Sequence, residues 1–114
     1  MLRTTILFVG LLALTGGIAP ASAASKAKSA VQAHHVHVIV IDKMTYGPMP
    51  TDVRAGDIIE WTNKDILEHS ATARDGHFDV DLKPGASGRI TATAGTLAFF
   101  CKFHPTMTGT LMVK

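Results

Sequence analysis

The sequence of 114 residues is poor in cysteine, in aromatic side chains and in charge. Cys101 is the only cysteine, which excludes an internal disulfide, while charged residues make up 18% of the chain and aromatic residues 6%. The formal net charge is +2 and no run of lysine and arginine occurs, which argues against a nucleic-acid-binding surface. The chain is too short for two hydrophobic cores, so we expect one domain.

The first 23 residues have the pattern of a secretory signal peptide. Arg3 precedes an apolar run from Ile6 to Leu14, and the small-residue site Ala21-Ser22-Ala23 follows. We predict a signal peptide over residues 1–23, cleaved after Ala23, and a mature protein in the periplasm without stable membrane insertion. A retained membrane anchor is the alternative, because the uncharged stretch from Thr4 to Ser25 is nearly long enough to span a bilayer.

Export makes the lone Cys101 informative, because a free thiol is at risk in an oxidising compartment. A single cysteine there indicates an intermolecular disulfide, a buried thiol or a metal ligand. The choice among these three depends on the residues around it.

The mature chain has the pattern of an all-β protein. Residues 24–33 are rich in Ala, Ser and Lys and predict a flexible leader. In the first strand Ile39 and Ile41 share one face with His35 and His37, and three valines occupy the other face. Tyr46–Pro50 is predicted as a loop, and Thr108-Gly109 as a turn. Further strands are predicted near residues 57–62, 69–73, 78–82, 88–93, 97–100 and 110–113, with a short extended piece at 51–54. We therefore predict a β-sandwich of about 7–8 strands over residues 34–114.

Three residues with metal-binding side chains are grouped near the end of the chain. Cys101, His104 and Met107 are spaced three apart, directly after an apolar strand, and Pro105 stiffens the loop that holds them. His69 is the upstream candidate for a fourth ligand, because it follows the turn that ends the strand beginning at Asp57. His77 is the alternative, but it follows Asp75-Gly76 in a turn, where a solvated histidine is usual.

The chemistry of this donor set favours copper. Structural zinc sites usually carry several cysteines, and a thioether adds little to zinc binding. Two histidines, one cysteine and a long axial methionine are the ligands of blue-copper electron-transfer sites, in which Cu(I) accepts soft sulfur and Cu(II) accepts imidazole.

The motif Cys101-x-x-His104-x-x-Met107 resembles the copper loop of the cupredoxins, the type 1 blue copper proteins. Its spacing is similar to that of the amicyanin-like members, and plastocyanin-like members have a longer loop. Val53–Asp65 resembles the family's segment before its first copper histidine, and Leu82–Gly85 resembles its mid-chain turn. The similarity extends from about His37 to Val113.

The resemblance implies a Greek-key β-sandwich with one copper ion at one end, cycling between Cu(I) and Cu(II). It implies equatorial roles for His69, Cys101 and His104 and an axial role for Met107. It also implies a monomeric one-electron carrier and not an enzyme. A redox protein donor and acceptor would dock weakly near His104, against an apolar rim of prolines and a methionine. The rim residues are Pro48, Met49, Pro50 and Pro105.

The alternative function is a copper-binding or copper-delivery protein with this fold and no obligate redox partner. Its support is the histidine cluster His34, His35 and His37, of which His35 and His37 would share a strand face and could form a second, weaker copper site. The other interpretation of the cluster is three surface histidines.

Two positions depart from the family pattern. Phe103 stands where amicyanin-like members commonly carry proline. Ser70 stands where many cupredoxins carry an asparagine whose amide braces the copper loop. Hydrogen bonds around metal ligands tune a metal centre, so the reduction potential and the rigidity of the loop depend on these two positions.

Overall fold

The structure is a computed structural model that describes residues 33–114, together with residues 10, 13, 16 and 17. The predicted signal peptide and the predicted leader lie almost wholly outside the described residues. The chain divides into two units, residues 1–31 and 32–114, and the description below concerns the second. Within the described part of the chain, no helix is long and apolar enough to cross a membrane.

Residues 36–113 form an all-β sandwich, which confirms the predicted fold class. The strands are β1 (Val36–Asp42), β2 (Thr45–Tyr46), β3 (Ile58–Asn63), β4 (His69–Ala73), β5 (Asp79–Leu82), β6 (Ser87–Thr91), β7 (Gly95–Phe100) and β8 (Thr108–Val113). The first sheet has the order β2-β1-β3-β6 and the second has the order β5-β4-β7-β8. β1 and β3 run parallel, while the other neighbouring strands run antiparallel.

In β1 and β8, alternation along the strand separates a buried face from a solvent face. In β1, Ile39 and Ile41 are fully buried, whereas Val36 and Val38 are about half exposed. β8 alternates in the same way over its six residues. A period of two places one set of side chains between the sheets, and this is the pattern from which the strands were predicted.

Two local predictions were wrong. Thr108-Gly109, predicted as a turn, begins β8, and Tyr46, predicted in a loop, belongs to β2. Gly109 pairs with Phe99, whose ring lies where a Cβ at residue 109 would project. The glycine is therefore required by close approach of an aromatic ring, and it does not mark a turn.

An aromatic group at the centre of the core joins the two sheets. The rings of Tyr46 and Trp61 both meet Phe99 edge to face, at 4.9 and 5.2 Å between centroids. The Tyr46 hydroxyl donates to the carbonyl oxygen of Ser70 and so connects β2 in the first sheet to β4 in the second. Burial raises the pKa of Tyr46 well above its ordinary value, so this phenol keeps its proton and donates.

Candidate metal centre

The candidate ligands lie at one end of the second sheet. β4 begins at His69, β7 ends one residue before Cys101, and β8 begins one residue after Met107. β4 and β8 both run antiparallel to their neighbour β7. The start of β4, the end of β7 and the start of β8 therefore lie at the same end of the sheet. We call this region the metal end; it comprises the loops 63–68 and 101–107 and the β1–β2 turn at residues 43–44.

Three side chains converge there. The Sγ atom of Cys101 lies 3.8 Å from Nδ1 of His69 and 3.7 Å from Nδ1 of His104. The two imidazole rings are 4.9 Å apart between centroids. His69 and Cys101 are fully buried, and His104 is half-buried. Among the described residues, this is the only set of three His, Cys, Asp or Glu side chains whose ligand atoms lie within 4.8 Å of one another.

Met107 is held beside these residues by the backbone of its own loop. The N–H of Cys101 donates to the carbonyl oxygen of Met107 at 3.0 Å, and the N–H of Met107 donates to that of His104 at 2.9 Å. The Met107 side chain is 5% exposed and belongs to the same buried cluster as Cys101. The spacing of three residues therefore produces a tight loop that returns to its starting point.

A carboxylate fixes the orientation of His69. Oδ2 of Asp65 accepts a hydrogen bond from Nε2 of His69 at 2.8 Å, so Nδ1 faces Cys101 as the unprotonated nitrogen that a metal ligand requires. The Asn63 side chain shapes this loop, because its amide nitrogen donates to Leu67 and its oxygen accepts the N–H of Asp65. The hydrogen bond from His69 holds the pKa of the Asp65 carboxyl at about 2.

Ser70 connects β4 to the Cys101 loop. Its backbone N–H donates to Sγ of Cys101 at 3.4 Å, and its Oγ accepts the N–H of Lys102 at 2.9 Å. The serine therefore braces the loop at the position where many cupredoxins carry asparagine. The sequence identified Ser70 only as a departure from the family pattern, and Asp65 only as the end of the segment that resembles the one before the family's first copper histidine. Their positions in the sequence could have pointed to them, because Ser70 directly follows His69 and Asp65 lies four residues before it.

The other histidines lie outside this group. His77 is exposed and pairs with Asp75 at 3.1 Å, as its position in a turn predicts. Nε2 of His37 lies 2.9 Å from a carboxylate oxygen of Asp57, and the His35 ring is 6.5 Å from the His37 ring. The structure thus brings His69, and not His77, to Cys101. Among the described residues, no group of three converging metal-binding side chains includes His34, His35 or His37.

The residues present fit a copper ion. A metal with bonds of roughly 2.0–2.1 Å to nitrogen and 2.3 Å to sulfur, the lengths found for zinc, places those two atoms roughly 3.5–3.8 Å apart at tetrahedral to trigonal angles. The measured separations of 3.7 and 3.8 Å agree with that span. One thiolate, two imidazoles and a neighbouring thioether then favour copper over zinc.

Exposed apolar side chains other than those of the predicted rim also lie at this end of the sandwich. Pro50 of that rim is partly buried. Met49 is packed against the core, and Pro48 and Pro105 are exposed. The larger exposed side chains at the metal end are Met44, Ile66, Leu67 and Phe103, with exposed fractions of 39%, 87%, 43% and 43%. We call these four residues the apolar collar.

Comparison with known proteins gives a consistent result. A family model described as a cupredoxin-like domain matches residues 11–113. Amicyanin from Paracoccus versutus is 27% identical over 84 residues, which are 68% of this chain and 64% of that protein. This chain therefore covers less than two thirds of the length of that relative.

Solved structures show the same fold. A reduced amicyanin variant with a proline-to-phenylalanine substitution has a TM-score of 0.59 and 27% identity, covering 69% of this chain and 82% of that one. A reduced Cu(I) form of another amicyanin variant gives the same values. A purple cupredoxin from Nitrosopumilus maritimus has a TM-score of 0.59 at 22% identity, covering 68% of this chain and 98% of that one, and supports the fold alone.

Proposed function

The chain belongs to the cupredoxin-like domain family, and we propose that it is a small copper protein that carries single electrons between redox proteins. We assign His69, Cys101 and His104 as equatorial ligands and Met107 as the axial ligand. The observation that carries this assignment is the convergence of two Nδ1 atoms on Sγ of Cys101 at 3.8 and 3.7 Å. Bound there, copper would supply a one-electron change between Cu(I) and Cu(II).

The protein's contribution is to hold the ligands still. His69 and Cys101 are fully buried, and hydrogen bonds to Asp65 and Ser70 fix them on both sides. Ligands held in this way offer nearly the same geometry to both oxidation states, so little rearrangement opposes electron transfer.

His104 is the proposed exit for the electron, because it is only half-buried whereas His69 and Cys101 are fully buried. The apolar collar borders it through the adjacent Phe103. A small apolar surface suits brief contact with a redox partner, since transient electron-transfer contacts bury little area. We propose that donor and acceptor both dock on the collar, and that the protein is exported to the periplasm by a signal peptide over residues 1–23.

The alternative of copper delivery is less well supported by the site. A delivery protein must surrender its metal, which favours ligands that solvent and an acceptor can reach. Two of the proposed ligands are fully buried. A carrier should keep its copper when challenged with an excess of a copper chelator, whereas a delivery protein should release it rapidly.

The absorption spectrum of the copper-loaded protein tests the assignment. We expect an intense visible band from sulfur-to-copper charge transfer in the oxidised form, and loss of that band in Cys101→Ala. His77→Ala is the matched control, because His77 is exposed and outside the ligand group, and the variant should keep the band. A colourless Cu(II) complex of the unaltered protein would refute the type 1 assignment.

A further inference from the structure

A set of polar residues on β4 and β5 has no role in the ligand assignment. Ser70 and Thr72 project from β4, and Asp79 and Asp81 stand opposite them on β5 in register. Lys102, from the Cys101 loop, lies across these residues and forms ion pairs with both carboxylates. The loop next to the candidate ligand is therefore anchored to the side of the sandwich.

The hydrogen bonds form a closed ring that begins and ends at Lys102. The Lys102 N–H bonds to Oγ of Ser70 at 2.9 Å, and Oγ of Ser70 lies 2.9 Å from Oγ1 of Thr72. The Thr72 hydroxyl donates to Oδ1 of Asp79 at 2.8 Å. The ammonium of Lys102 closes the ring by donating to both oxygens of Asp79, at 3.1 and 2.9 Å.

The direction of every bond in this ring is fixed by counting protons. An ionised Asp79 can only accept, and a hydroxyl has one proton to give. Because Thr72 gives its proton to Asp79, its oxygen must accept from Ser70. Ser70 has then used its only proton, so its lone pairs are free for the Lys102 N–H.

We propose that Ser70, Thr72 and Asp79 are positioning residues that fix the Cys101–Lys102 peptide through this ring, and that the ring supplies the rigidity which asparagine and proline provide at the corresponding positions of relatives. Aligned hydrogen bonds polarise one another, so the charge of Asp79 strengthens Ser70 as an acceptor. Ser70 is fully buried, which protects its bond to Lys102 from competition by water. The ion pairs of Lys102 alone would contribute little, because both carboxylates are about half exposed.

Substitution of Thr72 tests the ring without touching Lys102 or Ser70. Thr72→Val keeps the shape of the side chain and removes the hydroxyl. In the metal-free protein we expect the Lys102 amide to exchange with solvent about tenfold faster, measured by NMR, because its acceptor is no longer oriented. Thr72→Ser restores the hydroxyl and should restore the slow exchange.

Two carboxylates give a matched pair of variants. Asp79 and Asp81 both pair with Lys102 and have similar exposure, but only Asp79 accepts from Thr72. Asp79→Ala should accelerate exchange of the Lys102 amide as Thr72→Val does, and Asp81→Ala should not. Equal effects of the two alanine variants, or none from either, would overturn the ring as a positioning device.

A second readout rests on the proposed copper function. Loss of the ring loosens the N–H donation from Ser70 to Sγ of Cys101, and such donors stabilise the more electron-rich reduced site. We expect a lower reduction potential in Thr72→Val and recovery in Thr72→Ser. An unchanged potential in a copper-loaded Thr72→Val would contradict the link to the metal. Failure of the unaltered protein to bind copper would refute the proposed function. The amide-exchange experiment on the metal-free protein would still decide whether the ring positions the loop.

Discussion

At the scale of single residues, Asp65 determines which ring nitrogen of His69 carries the proton. An imidazole has two equivalent ways to carry its proton, and only one leaves Nδ1 free. The carboxylate of Asp65 accepts from Nε2 of His69 and also from the N–H of Met44 at 3.0 Å, so it connects the ligand to the β1–β2 turn. Such partners of metal-binding histidines usually affect metal affinity.

We expect Asp65→Ala to weaken copper binding by about 10–100-fold, the usual effect of removing such a partner. Asp65→Asn keeps an acceptor oxygen and should weaken binding less. Competition titration of Cu(I) against a chelator measures both. Asp75→Ala, which removes the partner of the exposed His77, is the control and should bind copper normally. An Asp65→Ala variant with unaltered affinity would show that the loop orients His69 without the carboxylate.

Three of the proposed ligands could be recognised from the sequence, whereas their hydrogen-bond partners could not, and the reason is physical. Cys101, His104 and Met107 are recognisable because their chemistry is rare and their spacing is local. The contribution of Ser70 depends on a hydrogen bond across the fold, to Lys102 over 32 residues, and that of Asp65 depends on how the loop turns it toward His69. Serine and aspartate are common in turns and on surfaces, so their types alone do not reveal such partners.

At the scale of elements, the start of β1 is tied to the turn before β3. Asp57 in that turn accepts from the N–H groups of His35 and Arg54, at 3.1 and 3.0 Å, and from His37 at 2.9 Å. Asp57 is 3% exposed. These donors, with the Arg54 N–H foremost, hold the pKa of Asp57 well below its ordinary value.

A lowered carboxyl pKa makes stability depend on pH in a defined direction. As the pH is lowered below about 4, the unfolded chain binds a proton at Asp57 before the folded protein does. The free energy of unfolding therefore decreases as the pH decreases. We expect Asp57→Asn to be less stable than the unaltered protein at neutral pH, with a difference that narrows below about pH 4.

Urea unfolding at several pH values measures this dependence. Asp52→Asn is the control, because Asp52 is exposed and lies 3.7 Å from Lys114, and its stability should follow that of the unaltered protein. A constant difference between Asp57→Asn and the unaltered protein at every pH would mean that the carboxylate charge does not hold β1 in place.

Most strands could be predicted from the sequence because alternation of apolar residues is a local signal. β1 and β4 lie within one or two residues of the predicted spans. The two-residue β2 could not be predicted, since it exists only by pairing with the end of β1. The parallel pairing of β1 with β3 is likewise a property of the tertiary fold, and no periodicity encodes it.

At the scale of the whole molecule, the sandwich separates two tasks. β3 runs from the turn with Asp57 to Asn63 at the metal end, a span of roughly 20 Å at the usual rise per residue. At one end the Asp57 carboxylate joins the start of β1 to the turn before β3. The ligands and the apolar collar lie at the other end. This separation leaves the collar free to contact another protein.

Electron exchange between two copies of the protein tests the collar without a known partner. If two metal ends meet during exchange, a charge placed in the collar must be desolvated and also repels its copy. We expect Ile66→Asp to slow exchange between the Cu(I) and Cu(II) forms about tenfold or more, measured by NMR line broadening in mixed samples. Val38→Asp adds the same charge at a half-exposed site on the outer face of β1, and it should slow exchange much less. Equal slowing by both variants would mean that the effect is not specific to the collar, and an unaffected Ile66→Asp would place the contact surface elsewhere.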